Sequence, residues 1–293
     1  MRVNRERDLL SGVAVGTVRV TLEAFWSRYE AWSIGRKRES TRGTDAHVWQ
    51  RWASWYTGDV SRVRRADVEA WTTHLLAALK PKTVCSYLGH LSGFFQRAVE
   101  WGYLSSNPCR GVQRPKVPKA LPIFLEASEI DRLLTAADGN LDLVRFLALG
   151  IFAGLRSGEI TACRWEWLDW QRGTLTVGDV HFTPKSGKPR VIPIHSRLRM
   201  LLKPYREHGY LIAPKALRRI QRGRVSLRKA FSSAVKRGDV KPISPHNLRH
   251  TFAASLVQAG RSLYEVQALL GHSDPRTTQI YAHLAPDRIN VEF

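Results

Sequence analysis

The sequence predicts a mainly α-helical protein with a small antiparallel β-sheet, arranged as an N-terminal helical bundle followed by a larger second domain. Three observations predict it. The first hundred residues carry apolar side chains at helical spacing in four successive segments. The basic stretch SSNPCRGVQRPKVPKALP then breaks the helical pattern, because its four prolines lack the N–H a helix needs. Beyond it, two short β-like runs, GTLTV and RVIPI, flank a turn-forming FTPKSGKP inside an otherwise helical region.

The elements follow in order. A short tail over 1–20 precedes a helical domain over 21–104. Thr21 is a good N-cap for LEAFWSRYEAW. TDAHVWQRWASWYTG places Val48, Trp52 and Trp55 on one helical face, with Gly58 as its stop. RADVEAWTTHLLAAL aligns Val68, Trp71, Leu75 and Leu79. The fourth helix begins near Pro81, where proline is tolerated in a first turn. Trp and Phe at this spacing read as core rather than as base-stacking platforms. Residues 105–122 form an extended basic linker, and 123–293 the second domain. There Ser128 is placed to cap EIDRLLTAAD, and LDLVRFLALGIFAG reads as a buried helix ending at Gly154. SRLRMLLKPYREH, VSLRKAFSSAVKRG, HNLRHTFAASLVQAG and SLYEVQALLGH read as further helices, with Gly238, Gly260 and Gly271 where C-caps are expected.

Charge narrows the function. In 293 residues, 46 Lys plus Arg against 25 Asp plus Glu leave a formal charge of +21, which favours a polyanionic partner. A membrane-surface protein would show an amphipathic helix with a hydrophobic anchor, and no such segment dominates. There is no apolar run long enough to span a bilayer, and MRVNRERDLLSG lacks the apolar centre of a signal peptide. Cys85, Cys109 and Cys163 fit neither a disulfide framework nor a zinc site.

Four motifs carry chemistry. AGLRSGEI holds Arg156 and Glu159; HFTPKSGKPRVIPI holds Lys185, Lys188 and Arg190; HNLRHTF holds His246, Arg249 and His250; LGHSDPRTTQIYAH holds His272 and Tyr281. Two arginines, two histidines, a lysine and a tyrosine are what a metal-free enzyme needs to cut a DNA phosphodiester. A guanidinium offers a planar fork to two phosphate oxygens and stays charged. His246 and Arg249, three apart, share one side of a helical turn, and His246 can bond a phosphate oxygen or relay a proton. His250 points elsewhere on the same turn and reads as structural or supporting. Glu159 reads as orienting an arginine or packing within its helix. Tyr281 can attack, although a free phenol titrates at about 10 and needs nearby cations. Tyr210 and Tyr264 are rival tyrosines without that context, and Tyr264 has the spacing of a helix-core residue.

At these residues the chain resembles the tyrosine recombinase family, which includes phage integrases and chromosome-dimer resolvases. The resemblance runs from Leu22 to His283 and is densest from Gly154 to Tyr281. It implies that Arg156 and Arg249 clamp the scissile phosphate and that His272 is another phosphate ligand. Lys185, opening its turn, becomes the general acid for the 5′ oxygen in preference to Lys188; Lys188 and Arg190 become DNA-backbone contacts. Lys82, Arg114, Lys116 and Lys119 are further DNA-contact candidates. Attack by Tyr281 implies a 3′-phosphotyrosine that conserves bond energy, so no ATP, metal or other cofactor is expected. The implied partners are duplex DNA and a homotetramer on two sites, passing through a Holliday junction, with room for accessory DNA-bending proteins. The implied location is the cytoplasm, at the nucleoid. About twenty residues before the first helix are too few for an arm-site domain, which favours a simple recombinase; only twelve residues follow Tyr281, where family members often carry a longer segment that docks onto a neighbouring protomer and links the tetramer. Two other readings stay open: a type IB topoisomerase that relaxes DNA, and a catalytically silent DNA-binding regulator.

Overall fold

The computed structural model describes residues 19–118, 121–184, 187–203, 205–206, 208–212 and 226–286. The chain divides into two compact units, Met1–Lys119 and Ala120–Phe293.

The first unit holds helices α1 (Leu22–Ser33), α2 (Glu39–Ala53), α3 (Arg65–Leu76) and α4 (Pro81–Glu100). Thr21 Oγ1 accepts the Ala24 N–H at 3.2 Å and starts α1 as expected. Helix α2 begins at Glu39, ahead of Thr44, and ends at Ala53, well short of Gly58. Pro81 sits in the first turn of α4. Phe25, Trp49, Trp52, Trp71, Phe94 and Phe95 are all buried in one cluster, so the helical aromatics are core. Each buried Phe contributes on the order of 1.5–3 kcal/mol by the area it removes from water. Asp45 is buried among them and is matched by Lys37 at 2.8 Å, His90 at 2.6 Å and the Tyr29 hydroxyl at 3.1 Å. That set ties α1, α2 and α4 together, because a buried carboxylate is tolerated only when paired.

The second unit is built around α6 (Leu141–Ala153), buried over nearly its whole length, with α5 (Ala127–Ala136) preceding it. The cap of α5 differs from the expected Ser128. Helix α5 starts at Ala127, and the Glu129 carboxylate accepts the Glu126 N–H at 2.9 Å. Helix α6 ends at Gly154 as expected, in a left-handed cap at φ 61° where a Cβ would overlap the Phe252 ring. Short helix α7 (Ser157–Ala162) follows at once.

A three-stranded antiparallel sheet comes next: β1 (Leu168–Asp169), β2 (Thr174–Val177) and β3 (Arg190–Pro193), in that order. The two longer strands were expected; β1 is an addition from the turn after Trp167. In β2 and β3, Leu175, Val177 and Ile192 face the core while Val191 faces out, the period-two pattern of a half-buried sheet. Arg190 pairs with Val177 and shares the inward parity of Ile192.

Helix α8 (Ser196–Leu201) stops well before the end of the expected run. Helices α9 (Ser226–Arg237), α10 (Pro245–Gln258), α11 (Leu263–Leu270) and α12 (Arg276–Gln279) complete the described residues, closing in a 3-10 turn at Ala282–Leu284. Helix α10 packs along α6, and α11 rests against α10 and β3. No helix among the described residues is long and apolar enough to cross a membrane. The three cysteines are free thiols, with burial pushing Cys109 up to about 12.

Candidate active site

Four helix termini, the ends of α6 and α11 and the starts of α7 and α10, converge with the start of β3 in the second unit. Arg156 is the N-cap of α7, directly after the left-handed turn at Gly154. Glu159, one turn into α7, is 2% exposed; its carboxylate accepts the Arg156 backbone N–H at 2.9 Å and the Arg156 Nη1 at 3.0 Å. Pro245 opens α10, so His246 and Arg249 stand on its first two turns. The Asn247 side chain accepts the Ser244 N–H at 2.8 Å and fixes that start.

Arg249 is buried, and its guanidinium is held by two helix C-termini. Nη1 donates to Gly154 O at 2.7 Å, at the end of α6, and Nη2 to Leu270 O at 2.5 Å, at the end of α11. Those carbonyls carry the negative ends of helix dipoles and suit a cation. Burial, and then the Arg156 and Arg190 charges, draw Arg249 down to about 9, against the pull of Glu159 and Tyr281, and it stays charged at neutral pH.

Arg190 departs from the expected DNA-backbone contact. It is 8% exposed, donates to Glu159 at 3.1 and 2.7 Å, and donates through Nε to Leu269 O at 2.8 Å. The reason is parity: Arg190 lies two residues before inward-facing Ile192 on β3. Gly271, at φ 63°, caps α11 and leaves room for Arg190, whose Cδ would lie 2.9 Å from a Cβ there. Arg190 and Arg249 thus hold successive carbonyls at the end of α11, just before Gly271 and His272. Burial alone would raise the Glu159 pKa; hydrogen bonds from Arg190, and then the neighbouring Arg156, outweigh it and hold the carboxyl below its ordinary range. Three guanidiniums lie within 4 Å of that one carboxylate, at 3.0, 2.7 and 3.9 Å, which leaves a local excess of two positive charges. A phosphodiester carries one negative charge and its five-coordinate transition state two, so the excess suits the latter.

The histidines are kept neutral. Burial first, and then Arg249, Arg156 and Arg190, push His272 down to about 4, and its Nδ1 lies 2.9 Å from Thr278 Oγ1. Burial, His246 and Arg249 push His250 down to about 4. His246 is lowered by burial and by Arg249 and Arg156.

Tyr281 follows α12, and its N–H donates to Thr278 O at 3.1 Å. It is 2% exposed, with burial pushing its hydroxyl up to about 12 against the lowering effect of Arg249. The hydroxyl is hydrogen-bonded to His250 Nδ1, and the two ring centroids are 5.8 Å apart. His250, expected to point elsewhere, therefore faces the tyrosine; no local pattern reveals that, since the pair is 31 residues apart. Tyr264, read as helix core, is 82% exposed on α11.

The structure brings Arg156, Glu159, Arg190, His246, Arg249, His250, His272 and Tyr281 together. Lys188, in the turn before β3, is exposed, as are Lys82, Arg114 and Lys116 in the first unit. Lys185 and Lys119 lie outside the described residues. Among the described residues no group of three or more His, Cys, Asp or Glu side chains gathers to hold a metal ion.

The model of the phage integrase family matches residues 123–288. The tyrosine recombinase XerC of Xanthomonas campestris pv. campestris is 33% identical over 236 residues, 77% of this chain and 71% of that protein. The tyrosine recombinase XerD of Pseudomonas putida is 32% identical over 246 residues, 79% of this chain and 80% of that protein. Among solved structures, a lambda integrase dimer bound to a COC′ core site superimposes with a TM-score of 0.73 at 19% identity, covering 94% of this chain and 98% of that one. The Tn1549 transposon integrase, in complex with a circular intermediate DNA, gives 0.69 at 17% identity, covering 89% and 95%. These two likenesses are of fold.

Proposed function

The chain belongs to the phage integrase family of tyrosine recombinases, and on that premise we propose that Tyr281 cleaves duplex DNA to a 3′-phosphotyrosine within the site described. The protein is a site-specific DNA recombinase. The observation that carries the residue assignment is the convergence of Arg156 and Arg249 on one buried carboxylate, with Arg249 close enough to Tyr281 for each to shift the other.

The chemistry follows from those groups. Arg156 and Arg249 bind the non-bridging oxygens of the scissile phosphate, with His272 and His246 as neutral donors beside them. The Tyr281 oxygen attacks phosphorus, the bond to the 5′ oxygen breaks, and that oxygen leaves with a proton supplied by Lys185. The phosphotyrosine keeps the bond energy for rejoining. A 5′ hydroxyl from a second duplex then attacks, which exchanges strands and builds a Holliday junction between four protomers on two sites. Accessory DNA-bending proteins and a place at the nucleoid belong to the same reading. The +21 charge supports a duplex partner, with Lys82, Arg114, Lys116 and Lys188 exposed to meet its backbone.

The test is covalent capture. The protein is mixed with a pool of nicked duplexes of random sequence, denatured, and the DNA that stays attached is sequenced, which also defines the site. Wild-type protein is expected to trap one sequence family and Tyr281→Phe none. Equal adduct from the Phe variant would remove Tyr281 from its role. Two captured sites should then yield junctions; relaxation of supercoils without junctions would favour the topoisomerase-like reading instead.

A further inference from the structure

We infer that His250 is the general base of strand cleavage, its Nδ1 taking the phenolic proton of Tyr281 as the phenolic oxygen bonds to phosphorus. The inference rests on Tyr281 being the nucleophile. A base must reach the proton it removes before any other property counts. His250 Nδ1 is hydrogen-bonded to the Tyr281 hydroxyl, the reacting atom itself. His246, the other histidine of α10, meets the edge of the His250 ring at a centroid distance of 4.7 Å, one imidazole further from the tyrosine along that chain of contacts. Water has little access, since Tyr281 is 2% exposed, so the proton needs an acceptor inside the protein.

The surroundings prepare the acceptor. The charged and titratable groups facing His250 are His246 and Arg249 on its own helix and Tyr281 from beyond α12. Burial and those neighbours keep the imidazole neutral at pH 7, with its lone pair available. An imidazolium beside Arg249 is unfavourable in the resting site. It forms as the phosphate gains its second negative charge, which offsets it.

The step balances. The O–H bond of Tyr281 breaks and its proton moves to His250 Nδ1. The oxygen's electron pair forms the bond to phosphorus, and the bond from phosphorus to the 5′ oxygen breaks with its pair remaining on that oxygen, which is protonated by the acid proposed at Lys185. In rejoining, a 5′ hydroxyl attacks, the tyrosine oxygen leaves, and His250 returns the proton. Nothing is oxidised or reduced.

The experiment uses the duplex identified by the covalent capture, resynthesised with sulfur in place of the 5′-bridging oxygen so that departure needs no acid. Single-turnover cleavage is followed from about pH 5.5 to 9 at fixed salt for wild type, His250→Asn, His246→Asn and Tyr281→Phe. Asn can accept the tyrosine's hydrogen bond but take no proton. Wild type is expected to be level across neutral pH. His250→Asn is expected to be slower by about 10²–10⁴-fold at pH 7 and to recover roughly tenfold per pH unit as hydroxide replaces the base. His246→Asn keeps the level profile. A His250→Asn rate close to wild type, a loss of equal size at every pH, or the rising profile appearing in His246→Asn would each overturn the inference. If Asn abolishes DNA binding in a gel shift, His250→Gln carries the same comparison. Adduct formation by Tyr281→Phe would instead strike the nucleophile assignment on which the inference rests.

Discussion

Arg190 donates two hydrogen bonds to Glu159, at 3.1 and 2.7 Å, with side chains only 7% and 2% exposed. The same Arg190 holds Leu269 O, so a single ion pair links β3, α7 and the end of α11. Its weight lies in what each partner becomes alone. Replacing Glu159 by Gln leaves three guanidiniums facing one another without their counter-charge.

Glu159→Gln is therefore expected to lose about 3–5 kcal/mol of stability, the usual cost of breaking a buried pair from one side. Chemical denaturation at pH 7 measures it. A midpoint and slope equal to wild type would show that the carboxylate is not what holds these arginines. Cleavage should fall as well, since Arg156 loses the acceptor that orients it.

The two clamp arginines should respond differently to lysine. Arg156 has a side chain 26% exposed at a helix start, so Arg156→Lys is expected to keep stability and lose about 10²–10³ in cleavage rate, the cost of one transition-state donor. The Arg249 fork spans Gly154 O and Leu270 O, which one ammonium cannot match. Arg249→Lys is expected to lose cleavage and thermal stability together. Melting curves beside single-turnover rates separate the two; equal melting temperatures in both variants would contradict the bridging role of Arg249.

Much of this arrangement was legible in the sequence. The helical periods of the first unit, the Pro-rich break and the Gly154 cap all follow from local propensities that the packed structure also satisfies. The misreadings differ in kind: Tyr264 lies on the exposed face of α11, α2 and α8 end earlier than their local pattern suggests, and α5 starts in a local capping box between Glu126 and Glu129 rather than at Ser128. Arg190 was open to a better reading, because its parity with Ile192 points it inward. The contact of His250 with Tyr281 joins α10 to a segment 31 residues later, and only the folded chain brings them together.

Acid should weaken the DNA-free protein in a defined window. His250 and His272 sit at about 4 in the fold against about 6.5 when unfolded. Between those values the unfolded chain binds more protons, so stability rises with pH and is lost as pH falls from about 6.5 towards 4. Glu159, held below its ordinary range, adds loss at the acid end of that window and beyond it. Melting temperatures taken across the window should fall steadily, and His272→Asn should flatten part of the slope. A melting temperature constant from neutral pH down to about 4 would mean that these rings are not held neutral in the fold.

The proton for the leaving 5′ oxygen gives the last test. Lys185 precedes the first residue of β3 by five positions in the sequence, and Lys188, three residues further on, is exposed. If Lys185 supplies the proton, Lys185→Ala should slow cleavage of ordinary DNA severely, because an alkoxide leaves poorly without one. A 5′-bridging phosphorothiolate releases a thiolate that needs no proton, so the same variant should cleave it at a rate much closer to wild type. Lys188→Ala should slow both substrates alike if it acts through the DNA backbone, since weakened binding does not depend on the leaving group. The comparison must be made at one salt concentration, because a chain of charge +21 binds DNA with a steep salt dependence. Selective rescue of Lys188→Ala alone would exchange the two assignments. Failure of both to be rescued would move the acid to a histidine, and His246 is the first to examine: it is exposed at the start of α10, beside Arg249 and Arg156.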